Sequence, residues 1–187
     1  NSPIDLNGTL EINGSVDIAS NGYIGNLDNI LLDTNASLNY DASLSGNSIT
    51  VAKPMDMQWV AYQYMIGNDM IQTLNITTDL DYLNAHADPI GTDETIFTGT
   101  LDGGGHTISN VKIEGSSDMA LFGVANDITI TNLTISNIEV KGNTARAAVL
   151  AAAASGNINV NNVDVSGTVT ASSYYAGGLI GSISSNA

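Results

Sequence analysis

The feature that most constrains this chain is that it repeats itself. Ile128-Thr-Ile130-Thr-Asn132-Leu133-Thr-Ile135 returns thirty positions later as Ile158-Asn-Val160-Asn-Asn162-Val163-Asp-Val165. The same offset carries Ala147-Ala-Val149-Leu150-Ala151 onto Gly177-Gly-Leu179-Ile180-Gly181. Two separated blocks that keep one register mark a repeat architecture, in which each unit buries its apolar face on the next. An earlier copy, Ile108-Ser-Asn110-Val111-Lys-Ile113, precedes the first block by twenty-two positions, and Leu121-Phe122-Gly123 precedes Val149-Leu150-Ala151 by twenty-eight. Insertions must therefore separate the strands.

Each copy alternates apolar and polar residues, turns at an Asn, and resumes the alternation. Period two with β-branched residues is a strand signal, and runs this short cannot be amphipathic helices. Strands recurring every twenty-two to thirty positions with no helical segment between them exclude βαβ units and point to stacked coils, a parallel β-helix. Asn110, Asn132 and Asn162 take one repeat position between two strands, where a residue must tolerate left-handed backbone. Stacked in successive coils, their amides could bond to one another as a structural ladder; the plainer reading is three independent turn residues.

Residues 1–53 show the same texture in shorter steps. Leu10-Glu-Ile12, Val16-Asp-Ile18, Ile30-Leu-Leu32, Leu38-Asn-Tyr40 and Ile49-Thr-Val51 are alternating strand cores between Gly- and Asn-rich turns. Residues 54–68 break the pattern: Pro54 suits a first helical position and Gly67 a stop, with Met55, Trp59, Tyr62 and Ile66 on one face. The spacing predicts a short accessory helix that covers the solenoid flank or plugs a coil. Residues 69–187 then carry the longer repeats, and the three stretches read as one continuous solenoid domain.

Composition narrows the class. Four Lys+Arg against 19 Asp+Glu give a net charge of −15, yet only 12% of residues are charged, so 22 Asn, 18 Ser and 17 Thr must cover the surface. Four scattered cations, Lys53, Lys112, Lys141 and Arg146, leave no basic footprint for nucleic acid or an anionic membrane. The longest apolar run, 147–154, is too short for a membrane span. The absence of Cys removes disulfides and thiol chemistry but leaves the compartment open. The opening Asn1-Ser2-Pro3-Ile4-Asp5 has neither Met nor a basic region, so a mature or excised segment is expected.

From Met57-Gln58-Trp59 through Leu74-Asn-Ile76-Thr-Thr-Asp79-Leu80-Asp81, Pro89-Ile90-Gly91, Phe97-Thr-Gly99-Thr-Leu-Asp102-Gly103-Gly-Gly105-His106-Thr-Ile108, Leu121-Phe122-Gly123 and Gly178-Leu179-Ile180-Gly181, the order resembles GLUG-motif segments of large bacterial surface proteins. The resemblance covers about residues 55–183, and its most specific stretch is Phe97 to Ile108. It implies a right-handed parallel β-helix in a secreted adhesin, and residues 1–51 resemble filamentous-haemagglutinin-like coils. The middle copy departs from the pattern, its glycines replaced to give Ala147-Ala-Val149-Leu150-Ala151, as either a degenerate coil or one packed more tightly by methyl groups. The last copy ends without anything like a cap, so the parent is expected to continue or copies to stack.

Catalytic patterns are thin. Asp79 and Asp81 would share a strand face, and Asp102 and His106 flank Gly103-Gly-Gly105, but these Asp positions suit turns that accept backbone N–H bonds. Neither His86 nor His106 stands beside a nucleophile elbow, and the glycine run completes no phosphate-loop spacing. Asp79, Asp81, Asp88, Asp93 and Glu94 form the one carboxylate group that could suit Ca²⁺, against the plainer reading of a solvated acidic loop. The expectation is an all-β, right-handed parallel β-helix with one short helix, acting without catalysis as the stalk or passenger of a bacterial surface adhesin in adhesion or biofilm. Its partners would be a glycan or protein on another cell or matrix, or copies of itself, outside the cell and with no cofactor unless Ca²⁺. The alternatives are a filament subunit stacking through open solenoid ends and a carbohydrate-binding or polysaccharide-degrading β-helix, the carbohydrate binder exposing Tyr174, Tyr175 or Trp59 along a groove.

Overall fold

A computed structural model describes residues 3–19, 22–143, 146–172 and 175–184. Strands too short to stand alone follow one another: β1 (Ile4–Asp5), β2 (Leu10–Ile12), β3 (Ser15–Ile18), β4 (Ile24–Gly25), β5 (Ile30–Leu32), β6 (Ser37–Tyr40), β7 (Leu44–Ser45) and β8 (Ser48–Val51). The helix α1 (Pro54–Met65) comes next. After it run β9 (Thr73–Ile76), β10 (Leu80–Asp81), β11 (Phe97–Asp102), β12 (Thr107–Gly115), β13 (Phe122–Gly142), β14 (Ala151–Ala171) and β15 (Ile180–Ser184). Every strand pair is parallel except the β7–β8 hairpin. The result is the expected β-solenoid, of about five turns.

Alternation puts the apolar residues of each strand inside, and the parallel register stacks them into columns. Ile49, Leu74, Leu101, Ile130 and Val160 form one column, and Leu80, Ile108, Ile135 and Val165 another. A third runs Phe97, Ala125, Ala154, Ile183. Along the first column the coil lengthens from twenty-five positions (Ile49 to Leu74) to thirty (Ile130 to Val160). Tyr64, Phe97 and Phe122 stack through the core with centroids 5.5 and 4.6 Å apart.

The thirty-position step holds only in part. Ile128 to Ile135 do face Ile158 to Val165, but Ala151 faces Ile180 and Ala147 faces Ala176, steps of twenty-nine. One residue is gained where Asp127 lies opposite Gly156 and Asn157, and given back where Ser136 and Asn137 lie opposite Ser166. Such bulges keep the apolar face inward while the coil length changes. The twenty-two-position step is also corrected: Ile108 faces Ile135, not Ile130, because one coil carries two Asn corners, Asn132 and Asn137, and the sequence match joins the wrong pair. In the middle copy all of 147–154 is buried, and Ala120, Ala148 and Ala152 pack together, so the methyl groups tighten that coil.

Residues 4–40 form a smaller unit whose strands pair only with one another, β1 with β4, β2 with β5 and β3 with β6. Its coil spans twenty positions at Ile4↔Ile24 and twenty-two at Ser15↔Ser37. Helix α1 joins the two units. Pro54 opens it, Asp56 reaches back to accept from the amides of Ala52 and Lys53 at 2.8 and 3.0 Å, and Gly67 at φ 84° follows its end. Met55 and Tyr62 enter the small core with Ile12, Ile18, Leu27 and Leu38, whereas Met57, Val60, Ala61 and Tyr64 enter the large one. The expected stripe is therefore half the story: Trp59 is half-buried and Ile66 exposed, and the helix is apolar on two sides because it serves two cores.

Candidate functional site

The outer corners of the coils are held by side-chain columns. Asn110, Asn132, Asn137 and Asn162 all have φ between 52° and 55°, the left-handed region that Asn tolerates better than most residues. Asn162 donates to Asn132 Oδ1 at 3.1 Å, and Asn132 donates to Asp102 Oδ1 at 3.2 Å. In a second column Asn137 donates to Asn110 Oδ1 at 2.7 Å, and Asn110 to Asp81 Oδ1 at 2.8 Å. The three asparagines singled out by the repeat thus divide between two columns, each starting from an Asp. The coil of β14 has no third rung above Asn137, since only Ser166 lies opposite Ser136 and Asn137 there.

The five carboxylates singled out as a calcium group are spread over separate tasks. Asp79 accepts from the Thr107 amide at 2.9 Å and lies 3.4 Å from His106 Nδ1, while Asp81 accepts from the Leu83 amide and Asn110. Asp93 lies 3.9 Å from Arg146, and Glu94 is exposed. Asp88 is buried at the seam of the two units, where it accepts from the Leu27 amide at 2.8 Å and from Gln58 Nε2, with His86 Nε2 at 3.4 Å. Among the described residues, no three His, Asp or Glu side chains stand close enough together to hold a metal ion. Asp102 sits at an open corner, and bonds from the Gly104 amide and Asn132 hold its carboxyl below the usual range, the opposite of a general acid's shift.

A cleft of about 300 Å³ opens beside that seam, and sequence reading missed it because its walls come from distant segments. Asp28 of the small unit faces Asp88, Asp93, Glu94, Glu114 and Asp118, with Met65, Pro89 and Met119 as the apolar wall. Partial burial and then neighbouring Asp88 raise the Asp28 carboxyl. Arg146 closes one edge through a two-pronged pair with Asp118, Nε to Oδ1 at 2.9 Å, which raises its own pKa. Such a wall accepts hydrogen bonds and attracts cations. The seam itself is further tied by the His86 amide donating to Asp5 Oδ1 at 3.1 Å and by Tyr23 Oη donating to the His86 carbonyl. Burial raises the Tyr23 pKa well above its ordinary value.

The aromatic cluster belongs to the small core: Trp59 lies between Tyr40 and Tyr62, with centroids 5.7 and 5.4 Å away. Tyr175 is exposed, and Tyr174 lies outside the described residues. Most of the repeat-motif residues lie in the core. Leu121, Phe122, Val149, Leu150 and Ala151 are buried, and Gly123 packs so closely that a Cβ there would stand 2.5 Å from the Gly91 carbonyl oxygen. In the last copy Leu179 is exposed, Ile180 and Gly181 half-buried.

No family model matches the chain, and no solved structure does. Over 55 residues the chain is 49% identical to Halomucin of Haloquadratum walsbyi. That match spans 28% of this chain and 1% of Halomucin. No helix is long and apolar enough to cross a membrane among the described residues. The β-solenoid and this local similarity are compatible with a structural role at a cell surface.

Proposed function

We propose that this chain is a non-catalytic spacer of a secreted surface protein, a β-helical stalk or passenger of the GLUG-like adhesin kind that works in cell adhesion or biofilm. The observation that carries the reading is the set of apolar columns running coil to coil from Ile49 to Val160 under parallel backbone ladders. Each added coil extends such a stack by about 4.8 Å without a new core having to be designed. The corner columns resist shear between coils, and the acidic, Asn-rich exterior keeps a long extended protein soluble. Its partners on this reading are a glycan or protein on another cell or matrix, reached by elements that the stalk holds away from the surface.

The test is single-molecule pulling of the chain between handles at its two ends, run beside a glycan array and a polysaccharide-cleavage assay. A spacer gives one or two high-force unfolding events and no turnover. Release of reducing ends or unsaturated sugars, abolished by replacing Asp79, Asp81 or Asp102, would sink the reading in favour of an enzyme.

A further inference from the structure

We infer that the turns on the flank of residues 4–40 carry N-linked sugar, with Asn13 and Asn35 as one stacked acceptor site and Asn7 as a second. The sequence holds five Asn-x-Ser/Thr tripeptides, beginning at Asn7, Asn13, Asn35, Asn75 and Asn132, the pattern at which an asparagine amide accepts a sugar. In a chain of 22 Asn, 18 Ser and 17 Thr that count is no more than composition brings, so placement decides. Asn7-Gly8-Thr9 turns the chain between β1 and β2, Asn13-Gly14-Ser15 between β2 and β3, and Asn35-Ala36-Ser37 between β5 and β6. All three asparagines are exposed, and none of their side chains bonds to another described residue. A Cβ added at Gly8 or Gly14 would meet nothing within 4 Å, so the middle of these two tripeptides stands in open space. The other two asparagines are already engaged. Asn75 is half-buried and donates to Ser48 Oγ at 2.9 Å, while Thr77 Oγ1 donates to the Val51 carbonyl at 3.3 Å. Asn132 donates to Asp102 Oδ1 at 3.2 Å, and a sugar on that nitrogen would crowd the column of Asp102, Asn132 and Asn162.

The pairing of β3 with β6 sets Ser15 opposite Ser37, so Asn13 and Asn35 fall on one corner of successive coils, and the Ser15 and Ser37 hydroxyls lie 3.0 Å apart. Asn35 stays exposed although the coil of Asn13 is stacked against its own, so this exposure belongs to the corner and not to an uncovered end of the stack. Neighbouring strands stand about 4.8 Å apart, less than the width a branched glycan needs, so a glycan on either asparagine covers the other. The donor is a sugar held through C1 to a diphosphate. The asparagine Nδ2 forms a bond to C1, the C1–O bond breaks with its electron pair leaving on the diphosphate, and one amide proton passes to a carboxylate of the transferase. The site rests on the proposed function in one respect, that the chain is exported past the enzymes that make this bond.

The experiment is glycopeptide mass spectrometry on the whole chain recovered from surface and interior fractions of the cells that make it, with fragmentation that keeps each sugar on its asparagine. Surface chain with sugar on Asn7 and on Asn13 or Asn35, and with Asn75 and Asn132 bare, is the expected result. A single sugar then names a nucleotide-linked donor, and a preassembled oligosaccharide a lipid-linked one. Surface chain with all five asparagines bare overturns the proposal while the surface reading stands, whereas bare chain found only inside the cell overturns both. Sugar on Asn75 or Asn132 as often as on Asn35 overturns it too, because placement would then have decided nothing. In a second arm the folded chain is given a soluble transferase that reads Asn-x-Ser/Thr, together with a nucleoside-diphosphate hexose. The double variant Asn13→Gln/Asn35→Gln, at two exposed positions, should keep its circular dichroism spectrum and lose the sugar of that corner, leaving Asn7 as acceptor. If the folded chain takes no sugar at any of the three while the denatured chain takes it at all five, the turns are closed to the enzyme and the proposal fails.

Discussion

The two units of this molecule use the same vocabulary of short parallel strands and polar turns, yet they are stable for different reasons. In residues 48–184 four or five coils stack, so that most apolar side chains have a neighbour above and below, and side chains such as Leu74, Leu101 and Phe122 are fully buried. In residues 4–40 there are only two coils of short strands, and Ile4, Leu10, Val16 and Leu31 remain exposed. Two rungs cannot enclose a column. The small unit is completed by Met55 and Tyr62 from the helix and by polar ties to the loop at 86–88, where a Cβ on Gly25 would come within 2.5 Å of the His86 carbonyl oxygen. A solenoid becomes self-sufficient through number of coils, and below that number it borrows a core.

Cavity substitutions give the largest test of this contrast. Leu101→Ala, in the middle of a column, should cost about 2–5 kcal/mol and lower the denaturant midpoint of the whole solenoid. Leu27→Ala removes a side chain of the same size that is 1% exposed, but its effect should be local. Hydrogen exchange should show lost protection in 4–40 with residues 97–142 unchanged. If Leu27→Ala loosens both regions equally, the two units fold as one and the borrowed-core account fails.

The seam between them is next in size. Asp88→Ala deletes the acceptor for the Leu27 amide and Gln58 Nε2, leaving buried donors without partners at a cost of about 1–3 kcal/mol. The Leu27 amide should exchange faster, and the small unit should become the first site of limited proteolysis. A variant in which 4–40 stays protected would place the stability of the joint in the apolar contacts of α1 alone.

Salt should act more gently and on both units. With −15 overall and only four cations, the folded chain concentrates like charge, and raising salt from about 0.1 to about 1 M shortens the screening length from about 10 to about 3 Å. The melting midpoint should rise by a few degrees, since about 1 kcal/mol moves it by about 2–4 °C in a chain of this size. The rise should be greater for the transition of 4–40, whose exposed Glu11 and Asp17 lie on a thinner core. Scanning calorimetry across a salt series measures it, and a flat midpoint would show that repulsion is already dispersed.

The strands of both units were legible because their information is local. Leu10 to Ile12, Val16 to Ile18 and Ile49 to Val51 each alternate and each lie in a strand. Register was legible only where two coils share turn chemistry, as from Ile128 to Ile135; it failed by one residue at Ala151 because a bulge at Gly156 leaves no mark in apolar spacing. The second core served by α1 was hidden for a different reason. A helix apolar on two sides shows no single stripe, and Met57, Val60 and Tyr64 announce themselves only when something lies behind them. The acidic cleft was hidden by distance in sequence, since Asp28, Asp88 and Asp118 meet only after the coils have stacked.

The most local effect concerns the corners, where two contributions that a single substitution mixes can be separated. Asn132 is exposed, so loss of its bonds to Asp102 and Asn162 frees groups that water can satisfy. Its φ of 52° is a different matter, because Ala in left-handed backbone costs about 1–2 kcal/mol whatever the side chain bonded. Asn132→Ala should therefore destabilise by about 1–2 kcal/mol and Asn132→Gly, which keeps the backbone freedom, by a few tenths. The sign of the pH dependence follows from Asp102, whose folded pKa is depressed: its stabilising share is present above the unfolded carboxylate pKa of about 3.9 and disappears as pH falls through the folded value. Asn132→Gly should flatten that acid limb, whereas Asn137→Gly, in the other column, should leave it in place. Equal losses for Ala and Gly would mean that the amide ladder, and not the left-handed corner, is what holds successive coils in register.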